Sequence, residues 1–348
     1  MNTKDKFYLN KDKSSSNISN RESKKGPLVS IIVNCFNGEK YLNECFESIL
    51  KQTYENYEVI FWDNCSSDNS KKIFLEIKDE RFKYRTDNLH VSLYEARNKA
   101  FACTIGKYIC FLDVDDQWLP NKLMEQISIM ESNPNIGFCY SGFKFLSQAD
   151  GKLKSSYKNK NLKGGRITKN LLRKYNVGIL TLMINKHIVI KNNIKFDNRF
   201  TIMGDLDFVL RLSRVTIGIP IKSDLAIYRI HQNNLSQGIS LTVKERELWQ
   251  SEMISLSLFK EKDLKPFLEE TKYLNFINTI NSYQFKNSIN LLLDLNGIFL
   301  LKGIYLFITK LKTSYLKTIK IKLKLILIKF KIKKSSQKAS MYCKKNMK

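Results

Sequence analysis

Asp113, Asp115 and Asp116 put three carboxylates within four positions, directly after the apolar run 108–112. Like charges held together out of water raise one another's pKa and cost free energy unless a cation or a donor network compensates them. Oxygen-rich sites with few protein ligands suit Mg²⁺ or Mn²⁺, because substrate phosphates and water complete the coordination. The cluster therefore points to a metal and nucleotide-phosphate site at the end of a strand. The competing reading is a solvated acidic turn ahead of a helix opened by Pro120.

The elements that must position this turn alternate strand and helix. Residues 28–33 form a continuous apolar run after Pro27, followed by Leu42, Cys45, Phe46, Ile49 and Leu50 at helical spacing. Residues 57–62 predict a second strand, with Ser66, Ser67 and Asp68 as cap candidates for a helix carrying Ile73, Leu75 and Ile77. Residues 82–84 predict a short third strand, and Ser92 with Glu95 fits a capping box opening the helix of Ala96, Arg97 and Ala100. The fourth strand runs into the carboxylates. Such alternation predicts an α/β fold with a mostly parallel sheet, helices on both faces and ligands at the carboxyl ends of the strands. The turns there hold Asn34, Cys35, Phe36, Asn37 and Glu39, then Asp63 and Asn64, then the acidic cluster. No G-x-G-x-x-G or P-loop sequence occurs in them, which disfavours a dinucleotide fold or a P-loop enzyme.

The chain has 348 residues, 43% of them hydrophobic, enough for a large core. Seven cysteines without a C-x-x-C pair argue for buried thiols in a reducing compartment. Residues 1–26 are polar and lack an apolar run of signal-peptide length, so secretion by that route is not expected. The net charge of +26 suggests nucleic acid until it is located. Residues 301–348 hold fifteen Lys and no acid, and without them 44 basic residues face 33 acidic ones, a net of +11. No zinc knuckle, aromatic RNA-binding signature or basic recognition helix accompanies the charge, so nucleic acid is not an expected partner.

Six segments in order resemble one family. VSIIVNCFNGEKYLNECFESILKQTY, WDNCSSDNS, ARNKA, FLDVDD, MGDLDFVLRLS and YRIHQNNLS are similar to the ordered motifs of the family 2 glycosyltransferases, which bind nucleotide sugars on the GT-A fold. The resemblance covers residues 27–236. It implies that Phe36 stacks on uracil, that Asn37 and Glu39 line the same turn, and that Asp63 accepts from the base, which suits UDP. Arg97 would reach the nucleotide or phosphate side of the donor, and Asp113 the ribose or outer metal shell. Asp115 would ligate Mn²⁺ or Mg²⁺ directly, Asp205 would be the general base, and His231 would contact metal or diphosphate. Asp116 is expected to cap the following helix, and Asp207 to be a structural or capping residue. Gly204 stands where the family usually has Glu, Asn34 replaces a frequent Pro, and Cys65 and Ala100 replace glycines. The implied reaction is a single displacement with inversion.

The expected organisation is a polar tail over 1–26, a GT-A domain over 27–240 and a basic, mainly helical region over 241–348. Within the domain, the Lys-rich stretch 152–166 is either a loop that closes over the site or a solvated connection. Beyond it, 248–259 and 274–285 read as helices, and 291–309 as an interfacial rather than a spanning helix, because Asp294 and Lys302 interrupt it. The Lys-rich chain that follows fits an anionic membrane surface. Together these features predict a cytoplasmic enzyme, peripheral at the inner face of the membrane, acting on a glycan or lipid-linked acceptor. A non-catalytic nucleotide-sugar-binding protein and a basic nucleic-acid-binding protein are the alternatives.

Overall fold

The computed structural model describes residues 26–155, 162–232, 234, 238–282 and 284–310. By Cα packing the chain divides between residues 237 and 238. In the first unit, strands β1 (Val29–Cys35), β2 (Tyr57–Asp63), β3 (Phe82–Thr86) and β4 (Tyr108–Phe111) lie parallel in the order β3-β2-β1-β4. Every residue of β1, β2 and β4 is buried, which is why they read as unbroken apolar runs rather than alternating ones. Their crossovers are helices α1 (Glu39–Leu50), α2 (Ser70–Glu76) and α3 (Leu93–Ala102).

Beyond β4 the sheet becomes mixed. The antiparallel strand β8 (Met183–Asn185) adds to β4, followed by β6 (Ile136–Ser147), β9 (Ile217–Ile230) and the two-residue β5 (Gln117–Trp118), with β7 (Leu153–Ser155) on the edge of β6. Strands β6 and β9 are parallel along most of their length. Helix α4 (Lys122–Ser132) begins two residues after Pro120, and α5 (Thr168–Arg173), α6 (Lys186–Lys191) and α7 (Gly204–Val215) complete the unit. Residues 156–161 of the Lys-rich stretch lie outside the described residues, while Gly165 bridges to Gly218.

Two local expectations differ from the structure. Of the cap candidates Ser66, Ser67 and Asp68, only Asp68 serves α2, its Oδ1 accepting from the Ser70 amide at 2.9 Å; the cap position itself is Asn69, and Ser66 and Ser67 instead bond to the turn after β1. Ser92 does cap α3, accepting from the Glu95 amide at 3.3 Å, but the Glu95 carboxylate turns to Lys99.

The second unit holds α8 (Ile239–Ser255), α9 (Glu261–Asn281), α10 (Phe285–Leu293) and α11 (Gly297–Lys310). Phe276, Ile280, Leu292, Leu295, Leu300, Ile304 and Phe307 form its core. The stretch 291–309 is not one helix. It breaks after Leu293, where Gly297 takes a left-handed φ of +55° that a side-chain-bearing residue adopts at a cost. Among the described residues no helix is long and apolar enough to cross a membrane.

Candidate active site

The site grows from the carboxyl ends of β1, β2 and β4. After β1 the backbone of Asn37 takes φ +53°, which Asn tolerates better than most residues. Its Oδ1 accepts from the Ser67 amide at 2.8 Å, and its own amide donates to Ser66 Oγ at 3.0 Å. Glu39 Oε2 accepts from the Asn69 amide and side chain at 2.9 and 2.7 Å, while the Glu39 amide donates to Asp68. These two side chains thus tie the turn after β1 to the turn after β2. Asp63, buried at the end of β2, accepts from the Ser66 amide at 2.9 Å and from the Tyr84 hydroxyl at 2.6 Å. Phe36 is left 52% exposed, with its ring centroid 4.2 Å from that of His90. His90 Nδ1 donates to the Asn64 carbonyl at 2.9 Å when protonated there.

The acidic turn after β4 is met by two arginines and a histidine. Arg97, buried on α3, donates from Nη2 to both oxygens of Asp113 at 2.7 and 2.9 Å, and from Nη1 to Asp205 at 2.5 Å. Burial opposes its charge, but Asp113 and Asp205 outweigh that and hold its pKa above the ordinary value. Its Nε has no hydrogen-bond partner among the described residues. Asp116 is buried and accepts from the Arg229 amide at 2.9 Å; burial and then its neighbours Asp115 and Asp113 push its carboxyl well up. Arg229 also donates to the Asp115 carbonyl and, at 2.6 Å, to Glu44. Asp116 therefore anchors the turn to β9 rather than capping α4.

Asp115 Oδ2 lies 2.8 Å from His231 Nε2, and the His231 ring stacks on Tyr41 at 5.3 Å. Burial and the Asp113 charge raise the Asp115 pKa, and the His231 contact only partly reverses this. A carboxylate short of compensating charge, beside an imidazole nitrogen, is a donor pair that fits a divalent cation. Among the described residues no three His, Cys, Asp or Glu side chains converge on one point. Two protein ligands suffice where a diphosphate and water supply the others.

Asp205 stands in the first turn of α7. Phe196 stacks on Phe208 at 4.2 Å and on Tyr94 at 5.7 Å, forming an apolar base beneath Arg97. Burial raises the Asp205 carboxyl to about 6 against the lowering effect of Arg97. That is a range in which a carboxylate exchanges protons near neutral pH. Asp207, on the same helix, is buried and paired with Arg211, a structural role.

The structure thus joins Arg97, Asp113 and Asp205 directly, and Asp115 with His231. Phe36, Asn37, Glu39 and Asp63 form a second group at the ends of β1 and β2. Arg229, Tyr94, Tyr41 and His90 also stand in the site and are not among the residues to which the sequence points. Arg229 sits inside the segment YRIHQNNLS and was signalled only by its company, and Tyr94 lies hidden within a helix start.

A parallel βαβ sheet with an Asp-x-Asp turn at its fourth strand, continued by a mixed half, defines a GT-A fold. Residues 30–186 match the family described as Glycosyl transferase family 2, and they form a domain of the family 2 glycosyltransferases. The UDP-Glc:alpha-D-GlcNAc-diphosphoundecaprenol beta-1,3-glucosyltransferase WfgD of Escherichia coli is 37% identical over 163 residues, 47% of this chain and 62% of that protein. The chain thus spans less than two thirds of that relative. TarS residues 1–349 of S. aureus, crystallised with UDP-GlcNAc, superposes with a TM-score of 0.60 at 15% identity, covering 82% of this chain and 81% of that one. The mannosyltransferase PcManGT of Pyrobaculum calidifontis, in complex with GDP-Man and Mn2+, does so with a TM-score of 0.54 at 14% identity, covering 77% and 75%.

Proposed function

We propose that this chain is an inverting glycosyltransferase that moves a sugar from a UDP-sugar to a hydroxyl of a glycan or lipid-linked acceptor in cell-surface polysaccharide or lipopolysaccharide assembly. The observation that carries the reading is the Arg97 fork, which draws a proton-accepting carboxylate, Asp205, to the Asp-x-Asp turn. Asp205 takes the proton of the acceptor hydroxyl as that oxygen attacks the anomeric carbon, and the bond to the diphosphate breaks on the opposite face. Phe36, beside His90, offers a ring face to the base, and Asp63 a carboxylate. Asp115 and His231 are the residues that would hold Mn²⁺ or Mg²⁺. When bound, such a cation neutralises charge on the departing nucleoside diphosphate. The E. coli relative, named for a UDP-Glc donor and a diphosphoundecaprenol acceptor, supports a UDP-sugar and a lipid-linked acceptor here.

Action at a lipid-linked acceptor accords with peripheral attachment to the inner face of the membrane through residues 241–348. Helix α11 exposes Ile298, Leu301 and Tyr305, just ahead of the acid-free Lys-rich stretch.

The test is calorimetric titration of the full chain with UDP and GDP, with Mn²⁺ or Mg²⁺ and then with EDTA. UDP should bind more tightly with the metal, and Asp115→Ala should lose at least about tenfold in affinity under the metal condition alone. No binding of either nucleotide under any condition overturns the reading.

A further inference from the structure

Gly204 opens α7, and its φ is not in the left-handed region, so nothing in its backbone requires glycine. The requirement for glycine lies instead in the space above it. A Cβ on residue 204 would stand 2.4, 2.5 and 2.6 Å from three ring atoms of Tyr94, closer than any carbon contact allows. The Tyr94 ring, 2% exposed, fills the place where a side chain on residue 204 would go.

From there the Tyr94 hydroxyl reaches the start of the helix. It donates to the Ile202 carbonyl at 3.1 Å and accepts from the Asp205 amide at 3.3 Å. That amide belongs to the first turn, where N–H groups have no acceptor inside the helix. Tyr94 and Arg97 are three residues apart on α3, one turn along the same face. One holds the Asp205 backbone and the other its carboxylate.

We infer that Tyr94 is a positioning residue for Asp205, and that Gly204 is glycine so that the Tyr94 ring can enter and hold the first turn of α7. The inference rests on Asp205 being the base. It adds that α3 fixes this carboxylate at two points, so that its direction is set independently of donor binding.

The experiment uses the full chain. In Tyr94→Phe, which keeps the ring, amide hydrogen exchange at Asp205 should quicken about tenfold while the later turns of α7 are unchanged. UDP release from UDP-glucose, with water as acceptor, should fall about tenfold in kcat with UDP affinity held within about twofold. In a second arm, Gly204→Ala should lower the thermal midpoint in the native background and have much less effect beside Tyr94→Ala, because the clash is gone. Unchanged exchange at Asp205, additive midpoint shifts, or native turnover in Tyr94→Phe would each overturn the inference. If the unsubstituted chain releases no UDP from UDP-glucose or other UDP-sugars, the donor assignment fails, and the exchange and double-variant arms still decide the role of Tyr94.

Discussion

Arg97 Nη1 lies 2.5 Å from Asp205 Oδ1 while Nη2 of the same guanidinium grips Asp113, so one buried side chain sets the separation of Asp205, the proposed base, from the Asp-x-Asp turn. Removing it strands two carboxylates in a partly desolvated site. Arg97→Met should therefore cost about 3 kcal/mol, seen as a lower urea midpoint at unchanged slope. Arg97→Lys keeps the charge but cannot fork, so stability should recover in part while turnover stays low.

Burial raises the Asp205 carboxyl to about 6, with Arg97 opposing. A base must be ionised to accept a proton, and a raised pKa keeps it protonated to a higher pH. The rate kcat/KM should thus rise with pH up to about 6 and level off above, falling about tenfold per unit on the acid side. Asp205→Asn should remove that limb together with most of the activity. A pH profile of UDP release, unchanged in shape by Asp205→Asn, would exclude Asp205 as the base.

Phe36 is exposed, whereas its neighbours in the same turn are bonded across to the Ser66–Asn69 backbone. Phe36→Ala removes a ring face without disturbing that lacing. Stacking of a base on an aromatic ring contributes about 1–3 kcal/mol, so UDP affinity should fall about tenfold with the thermal midpoint unmoved. Asn37→Ala should do the reverse, lowering the midpoint more than the affinity. Paired calorimetry and thermal scans distinguish the two.

The parallel half of the fold was legible because its strands are buried on both faces and its turns carry polar punctuation. Val29 to Val33 and Val59 to Phe61 leave no alternative to a core strand, and Ser92 announces α3. The turns that hold Phe36, Asn37, Glu39, Asp63 and the acidic cluster were legible for the same reason, whereas the roles proposed for those residues come from the family resemblance. What was not legible depends on contacts between residues far apart in sequence. Nothing local to Tyr94 says that its ring needs a glycine at 204, and nothing local to Arg229 says that its amide reaches Asp116. The break between α10 and α11 was missed because Leu295, flanked by Asp294 and Asn296, keeps the apolar count high through a turn.

Helix α11 has two apolar faces. Leu300, Ile304 and Phe307 enter the core of the second unit, while Ile298, Leu301 and Tyr305 stay exposed, Tyr305 at 73%. Three apolar side chains one turn apart on the outer face, followed by a stretch with thirteen Lys and no acid over 311–348, combine an apolar stripe with a cationic neighbour. Apolar insertion depends on buried area, and Lys attraction depends on anionic lipid and fades with salt. The full chain should bind vesicles containing phosphatidylglycerol and bind phosphatidylcholine vesicles far less. Replacing Ile298, Leu301 and Tyr305 together by Ser should weaken binding at least about tenfold even at low salt, since each buried side chain contributes roughly 1 kcal/mol or more. Co-sedimentation with vesicles reads both effects. If the triple variant binds as the native chain does, the Lys-rich stretch acts alone. If it instead lowers the native mass in sedimentation, the stripe is a contact between copies of the chain.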